Sequence, residues 1–233
     1  MVLVHGAFNA GSSWAGVIRA LAPDGLTVVA VANPLRGLLS DAAYVASVVN
    51  AIAGPVLLVG HSYGGAVITN AATRTPRVVG LVYVAAVAPD AGETIQALSA
   101  QGPPTLLGPA LRPATVAVDA AGATTTEFSI DRAGFQAVLA ADVAADLATV
   151  MAATQRPVAA AAFTDASGPP AWKSLPSWFI VATDDQAVGA DAERFFAQRA
   201  GATTVEVAAS HSVEVSQPQA VAGVIRAAVA AVA

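Results

Sequence analysis

Along the chain, short unbroken apolar runs alternate with longer stretches whose apolar residues recur at helical spacing. Runs without polar alternation describe strands covered on both faces, and such strands belong to parallel sheets. Six fit: Val2–His5, Leu26–Ala32, Pro55–Gly60, Val78–Ala85, Ser177–Ala182 and Thr203–Ala208. Helices are predicted over Trp14–Leu21 behind Ser12 or Ser13, and over Ala42–Ile52 behind Ser40 or Asp41. A Ser or Asp there satisfies free N–H groups of the first turn. Further helices are predicted over Ala66–Arg74, Ala190–Ala200 and Pro218–Ala230. Strand alternating with helix requires right-handed crossovers that lay helices on both faces of the sheet. The expected fold class is α/β, a three-layer sandwich.

That rhythm stops between about Pro89 and Leu175. Strand-like runs cease there, Gly102-Pro103-Pro104 and Gly168-Pro169-Pro170 interrupt the chain, and helical spacing returns near Asp131–Ala153. The expected division is a core of residues 1–88 and 176–233 with a mainly helical cap over 89–175. No internal repeat is visible.

Composition narrows the function classes. With 55% hydrophobic and 12% charged residues, the chain has ample apolar surface for a core and too little charge for a disordered or coiled-coil protein. Its net charge of −5, without a basic cluster, argues against nucleic acid and anionic membranes as partners. The longest clean apolar run, Val78–Pro89, falls short of the ~20 residues that span a bilayer. Because Met1–Val4 already reads as strand, no signal peptide is expected and the location is expected to be cytoplasmic. The chain has no Cys, and His5, His61 and His211 show no metal-ligand spacing. Neither a metal nor a cofactor is expected; oligomeric state is left open.

The chemistry gathers around Gly60-His61-Ser62-Tyr63-Gly64, between Val56-Leu57-Leu58-Val59 and Gly65-Ala66-Val67-Ile68. A G-x-S-x-G joining a buried strand to a helix presents its serine on a sharp, strained turn, and the flanking glycines leave room for it. A serine hydroxyl needs a general base, usually His. His61 adjoins Ser62 and is expected to pack or to stabilise the turn; His5 is expected to fix the turn after the first strand. His211, in Ala209-Ser210-His211-Ser212, follows the last strand and is placed to reach the edge that carries Ser62.

A third, acidic member must hold the imidazole tautomer. Trp178-Phe179-Ile180-Val181 runs into Thr183-Asp184-Asp185. Asp185 is preferred because Ala187 and Val188 follow it as apolar anchors, and Asp184 is the alternative. Asp191 and Glu193 read as first-turn acids favourable to a helix dipole. Asp90, Glu93, Asp131, Asp142 and Asp146 read as solvent-facing charges. Donors for a developing oxyanion would be the backbone N–H groups of Tyr63 and Ala7. The loop His5–Gly11 lacks the lysine and spacing of a phosphate cradle. Phe8, Phe128, Phe135 and Trp172 are the candidate substrate-binding side chains, for a small or medium apolar ester.

Val2-Leu3-Val4-His5-Gly6-Ala7-Phe8, Gly60-His61-Ser62-Tyr63-Gly64-Gly65, Thr183-Asp184-Asp185-Gln186-Ala187-Val188 and Ser210-His211 together resemble the α/β-hydrolase superfamily, whose chain order is Ser, Asp, His. Within it the chain is most similar to the compact branch of plant methyl-ester esterases and hydroxynitrile lyases and their bacterial relatives. The resemblance implies Ser62 as nucleophile, His211 as base, Asp185 as acid and the Ala7 and Tyr63 amides as oxyanion hole. It also implies six parallel strands and an acyl-enzyme route. The lyases typically carry Thr and Lys where Gly6 and Ser212 stand here, which favours an esterase. Gly189 stands where the family usually has Pro. Lyase or perhydrolase-like chemistry on the same triad, or a small-molecule receptor with residual hydrolysis, are the alternatives.

Overall fold

The structure, a computed structural model, describes all 233 residues, Met1–Ala233. Nine strands lie along the chain: β1 (Val2–Val4), β2 (Val29–Val31), β3 (Val56–His61), β4 (Val78–Val84), β5 (Leu111–Ala117), β6 (Thr124–Ile130), β7 (Val158–Ala159), β8 (Ser177–Ala182) and β9 (Thr203–Val207). Six form one all-parallel sheet in the order β2-β1-β3-β4-β8-β9. These are the six apolar runs, each within a few residues of its expected bounds.

Alternate side chains of these strands feed two separate apolar clusters. On one face Val2, Val4, Leu58, Tyr83 and Phe179 meet the helices Leu38–Asn50, Tyr63–Ala71 and Ala190–Arg199. On the other face Leu3, Val59, Val82 and Ile180 meet Trp14, Val17 and Leu21 together with the helix Pro218–Val232. Helices on both faces make three layers, and they explain why the central strands β1, β3, β4 and β8 lack polar alternation, whereas the edge strand β9 is exposed along most of its length.

The helix starts differ in detail from those expected. Leu38–Asn50 begins at Gly37 rather than Ser40 or Asp41, and neither Ser12 nor Ser13 makes a side-chain cap. Asp41 turns inward instead, accepting from the Arg36 N–H at 3.1 Å and from the Tyr63 hydroxyl at 2.8 Å. No helix is long and apolar enough to cross a membrane.

The interval between β4 and β8 departs from expectation in one respect. Helices dominate it, including Phe135–Leu139 and Ala145–Thr154, yet strands do not cease: β5, β6 and β7 form a three-stranded antiparallel sheet. Its hairpin turns at Asp119, whose carboxylate accepts from the N–H groups of Ala121 and Ala123 at 2.9 and 3.0 Å. Thr124-Thr125-Thr126-Glu127 is strand because β-branched residues suit a pleated, half-exposed surface. With one side toward solvent, it never forms the apolar run by which the main sheet was recognised. Ile130, Phe135, Leu139 and Val158 of this insertion join the same apolar cluster as the sheet face beneath.

Candidate active site

β3 ends in a turn that places Ser62 at φ 53°, ψ −125°, a region that costs a non-glycine residue of order 1–3 kcal/mol. Neighbouring strands hold the strain: Ser62 N–H donates to Val84 O at 3.1 Å, and Ser62 O accepts from Gly65 and Val87 at 2.9 and 3.2 Å. The flanking glycines are sterically required. A Cβ on Gly60 would lie 2.5 Å from Gly64 O, and one on Gly64 would collide with Val4 O.

His211 Nε2 stands 2.8 Å from Ser62 Oγ, and its Nδ1 stands 2.6 Å from Asp185 Oδ2. The acid turn after β8 selects between the two aspartates. Asp184 points to solvent, whereas Asp185 is buried and its Oδ1 accepts from the Ala187 and Val188 N–H groups. Burial opposes the charge on Asp185, but the His211 ring, the Glu193 carboxyl and the Ala187 amide together hold its pKa well below the usual range. Burial likewise opposes a charge on His211, and the facing Asp185 carboxylate more than offsets it, raising the pKa above 6.5.

Two backbone N–H groups expected as oxyanion donors, those of Tyr63 and Ala7, belong to residues that border the same cavity as Ser62. Tyr63 is the first residue of its helix, where N–H groups have no intrahelical acceptor. Ala7 sits in the loop after β1, and its N–H has no intramolecular acceptor. Phe8 is held at φ 63° by a bridge in which Arg156 N–H donates to Phe8 O at 3.3 Å. His5 fixes this loop through Nδ1–H to Gly6 O at 2.9 Å, while Arg156 donates to its Nε2 at 3.1 Å. Burial first, then Arg156, overcome the Gly6 bond and depress its pKa to about 4.

His61 faces away from Ser62. Its Nε2–H donates to the His211 carbonyl at 3.0 Å and lies 3.4 Å from Glu214 Oε2, and burial pushes its pKa down to about 3. It therefore braces the His211 backbone. From the insertion, Leu139 O accepts from Ser212 N–H at 2.8 Å, and Asp142 accepts from Ser210 Oγ. Asp142 is thus a tether for the His211 loop as well as a surface charge.

Besides Asp41, two more buried carboxyls escaped the sequence reading. Glu193 turns inward rather than serving a helix dipole; its Oε2 accepts from Ala182 N–H at 2.8 Å, and its carboxyl lies within 4.8 Å of Asp185 and His211. Two carboxyls in one dry site cannot both ionise. Burial and the Asp185 charge raise Glu193 well above its usual value, so it holds the proton and Asp185 the charge. Glu214, fully buried, is raised to about 7, chiefly by burial. The signal available was position alone: each falls on the inner face of its helix.

A cavity of about 70 Å³ opens over Ser62 and His211, bordered by Ala7, Phe8 and Tyr63 and roofed by Leu98, Leu107, Phe163 and Phe196. Of the four proposed substrate-binding aromatics, only Phe8 lines it. Phe135 is fully buried in the core, and Trp172 is buried with its Nε1–H bonded to Pro89 O at 3.1 Å. Phe128 packs edge-on to Phe163, one ring further out. Phe163 and Phe196 are the other two phenylalanines that line the cavity.

A sequence profile described as "Alpha/beta hydrolase family" matches residues 1–224. A carbendazim hydrolyzing esterase from Nocardioides sp. (strain SG-4G) is 36% identical over 110 residues, which span 42% of this chain and 46% of that protein. A pyrethroid hydrolase from Sphingobium faniae JZ-2 superposes with TM-score 0.77 at 23% identity, covering 97% of this chain and 95% of that one. Polyneuridine aldehyde esterase superposes with TM-score 0.82 at 17% identity, covering 98% of each chain. A methylesterase, MES16, from Arabidopsis gives 0.79 at 18% identity, also covering 98% of each.

Proposed function

The chain belongs to the alpha/beta hydrolase family, and from that premise we propose that it is a serine hydrolase cleaving small to medium carboxylic esters through an acyl-enzyme. The observation that carries this reading is the continuous line Ser62 Oγ, His211, Asp185, with separations of 2.8 and 2.6 Å. As Oγ attacks the ester carbonyl, its proton passes to His211 Nε2, and the imidazolium is stabilised by Asp185. The oxyanion is received by the N–H groups of Ala7 and Tyr63, at a turn too rigid to need reorganisation. Collapse expels the alkoxide, which takes the proton from Nε2. Water then gives a proton to the same nitrogen and attacks the acyl carbonyl; collapse breaks the acyl–Oγ bond, releases the acid and returns the Nε2 proton to Ser62 Oγ.

The kinship with proteins named as esterases and a pyrethroid hydrolase supports ester chemistry. Gly6 favours it over cyanohydrin cleavage, because a side chain there would bring its Cβ within 2.6 Å of Ser62 Cβ. The test is hydrolysis of p-nitrophenyl esters from acetate to octanoate. The wild type is expected to show a product burst, and Ser62→Ala and His211→Ala to lose on the order of 10³-fold or more in kcat. Full turnover by folded Ser62→Ala would exclude the mechanism. Because His211 works as a base only when neutral, kcat/KM should fall on acidification with a midpoint above pH 6.5.

A further inference from the structure

The space over Ser62, about 70 Å³, is several-fold smaller than the space beside it, about 460 Å³. A substrate that outgrows the inner space must place its remainder beyond it. Ser99, Thr105, Leu107, Phe163 and Ala187 wall this space on one side and a chamber of about 460 Å³ on the other.

That chamber has a definite chemistry. Leu107, Leu111, Phe128 and Phe163 supply apolar walls, with the two rings edge-on at 6.1 Å. Its polar side chains are neutral, from Gln96, Ser99, Thr105 and Thr164, and no Asp, Glu, Lys, Arg or His borders it. An uncharged apolar group entering it is stabilised in proportion to the apolar surface it removes from water. A carboxylate or ammonium would lose hydration without finding a partner. The cavity on the opposite side of Gly102-Pro103 is smaller, about 290 Å³, and carries Asp191, so it lacks this uniform neutrality.

The wall between the two spaces is tied to the site itself. Thr105 Oγ1 donates to Ala187 O at 3.1 Å, and Leu106 N–H donates to Gln186 O at 2.9 Å. Both acceptors belong to the turn that presents Asp185. The chamber mouth is thereby fixed relative to the acid turn rather than floating with the insertion.

We propose that the Phe128–Phe163 chamber is the subsite for one bulky, uncharged half of the ester, aryl or branched alkyl, while the scissile carbonyl lies at Ser62. This rests on the Ser62 reading above and adds a substrate class: neutral esters with one large apolar group, in preference to charged esters of equal size.

The test compares three p-nitrophenyl esters, acetate, 4-phenylbutyrate and hemiglutarate, in the wild type, Ala160→Trp and Thr164→Trp. Ala160 and Thr164 both border the chamber, and neither borders the cavity over Ser62. Expected is a fall of at least tenfold in the ratio of kcat/KM for phenylbutyrate over acetate, with acetate turnover within twofold of wild type, which also reports folding. In the wild type, hemiglutarate should trail phenylbutyrate by a similar factor. An unchanged ratio in both variants, or equal use of the charged ester, would overturn the chamber assignment. Ser62→Ala on acetate keeps the two readings apart: loss of acetate turnover there upholds the nucleophile whatever the chamber variants do.

Discussion

The parallel sheet and the insertion between β4 and β8 cover their backbones in different ways. β3 and β8 are buried at every residue, with helices above and below. β5 and β6 keep most positions exposed or half-buried. A strand covered on both faces appears in sequence as an unbroken apolar run. One covered on a single face appears as threonines and small residues that resemble a loop. Structural cohesion thus concentrates in the sheet, whereas the insertion contributes Leu98, Leu107 and Phe163 to the roof of the cavity and the tether on the His211 loop.

That contrast can be broken most forcefully in the sheet. Leu58→Ala removes a fully buried side chain and should cost about 3 kcal/mol. Val116→Ala on the half-exposed β5 should cost less than about 1 kcal/mol. Urea unfolding of both measures the difference; equal losses would mean that the insertion is as cohesive as the core.

Glu193 lies at the seam where the sheet meets the site, bonded to Ala182 N–H at the end of β8. Glu193→Gln keeps a neutral group of the same shape beside Asp185 and should stay within about 1 kcal/mol of wild type with kcat little changed. Glu193→Ala should cost about 2 kcal/mol, through the lost bond to Ala182 N–H and the space left behind. If Gln proved as damaging as Ala, the proton assigned to Glu193 would have been misplaced.

The smallest expected effect is a pH dependence from Glu214. With a folded pKa of about 7 against an ordinary 4.5, the folded chain holds more protons than the unfolded chain across that window. Its contribution is complete below pH 4.5 and is lost as pH rises through 7. His61, His211 and Asp142 are the titratable groups around it. Melting temperatures taken from pH 5 to 8 should show wild type losing ground to Glu214→Gln; parallel curves would count against the raised pKa.

Much of the molecule could be read from residue order alone. The apolar runs of β1, β3, β4 and β8 gave the centre of the parallel sheet, because a doubly buried strand has no other way to be written, while the edge strand β9 is exposed along most of its length. Gly60-His61-Ser62-Tyr63-Gly64 between strand and helix located the turn, since only glycine fits where Gly60 and Gly64 meet backbone atoms. Gly189, at φ 91°, likewise occupies a conformation closed to the proline usual in the family.

Residue order carried the local features: strands, turn, and the succession of Ser62, Asp185 and His211. Tertiary structure alone decided that Asp185 faces inward and Asp184 outward, that Phe163 and Phe196 rather than Phe135 and Trp172 roof the cavity, and that Glu193 and Glu214 are buried. The physical reason is that these choices depend on which surface a residue meets across the fold. Desolvation by distant segments fixes the charge states, and packing between the insertion and the helices turns the rings. Neither leaves a periodic trace in the chain.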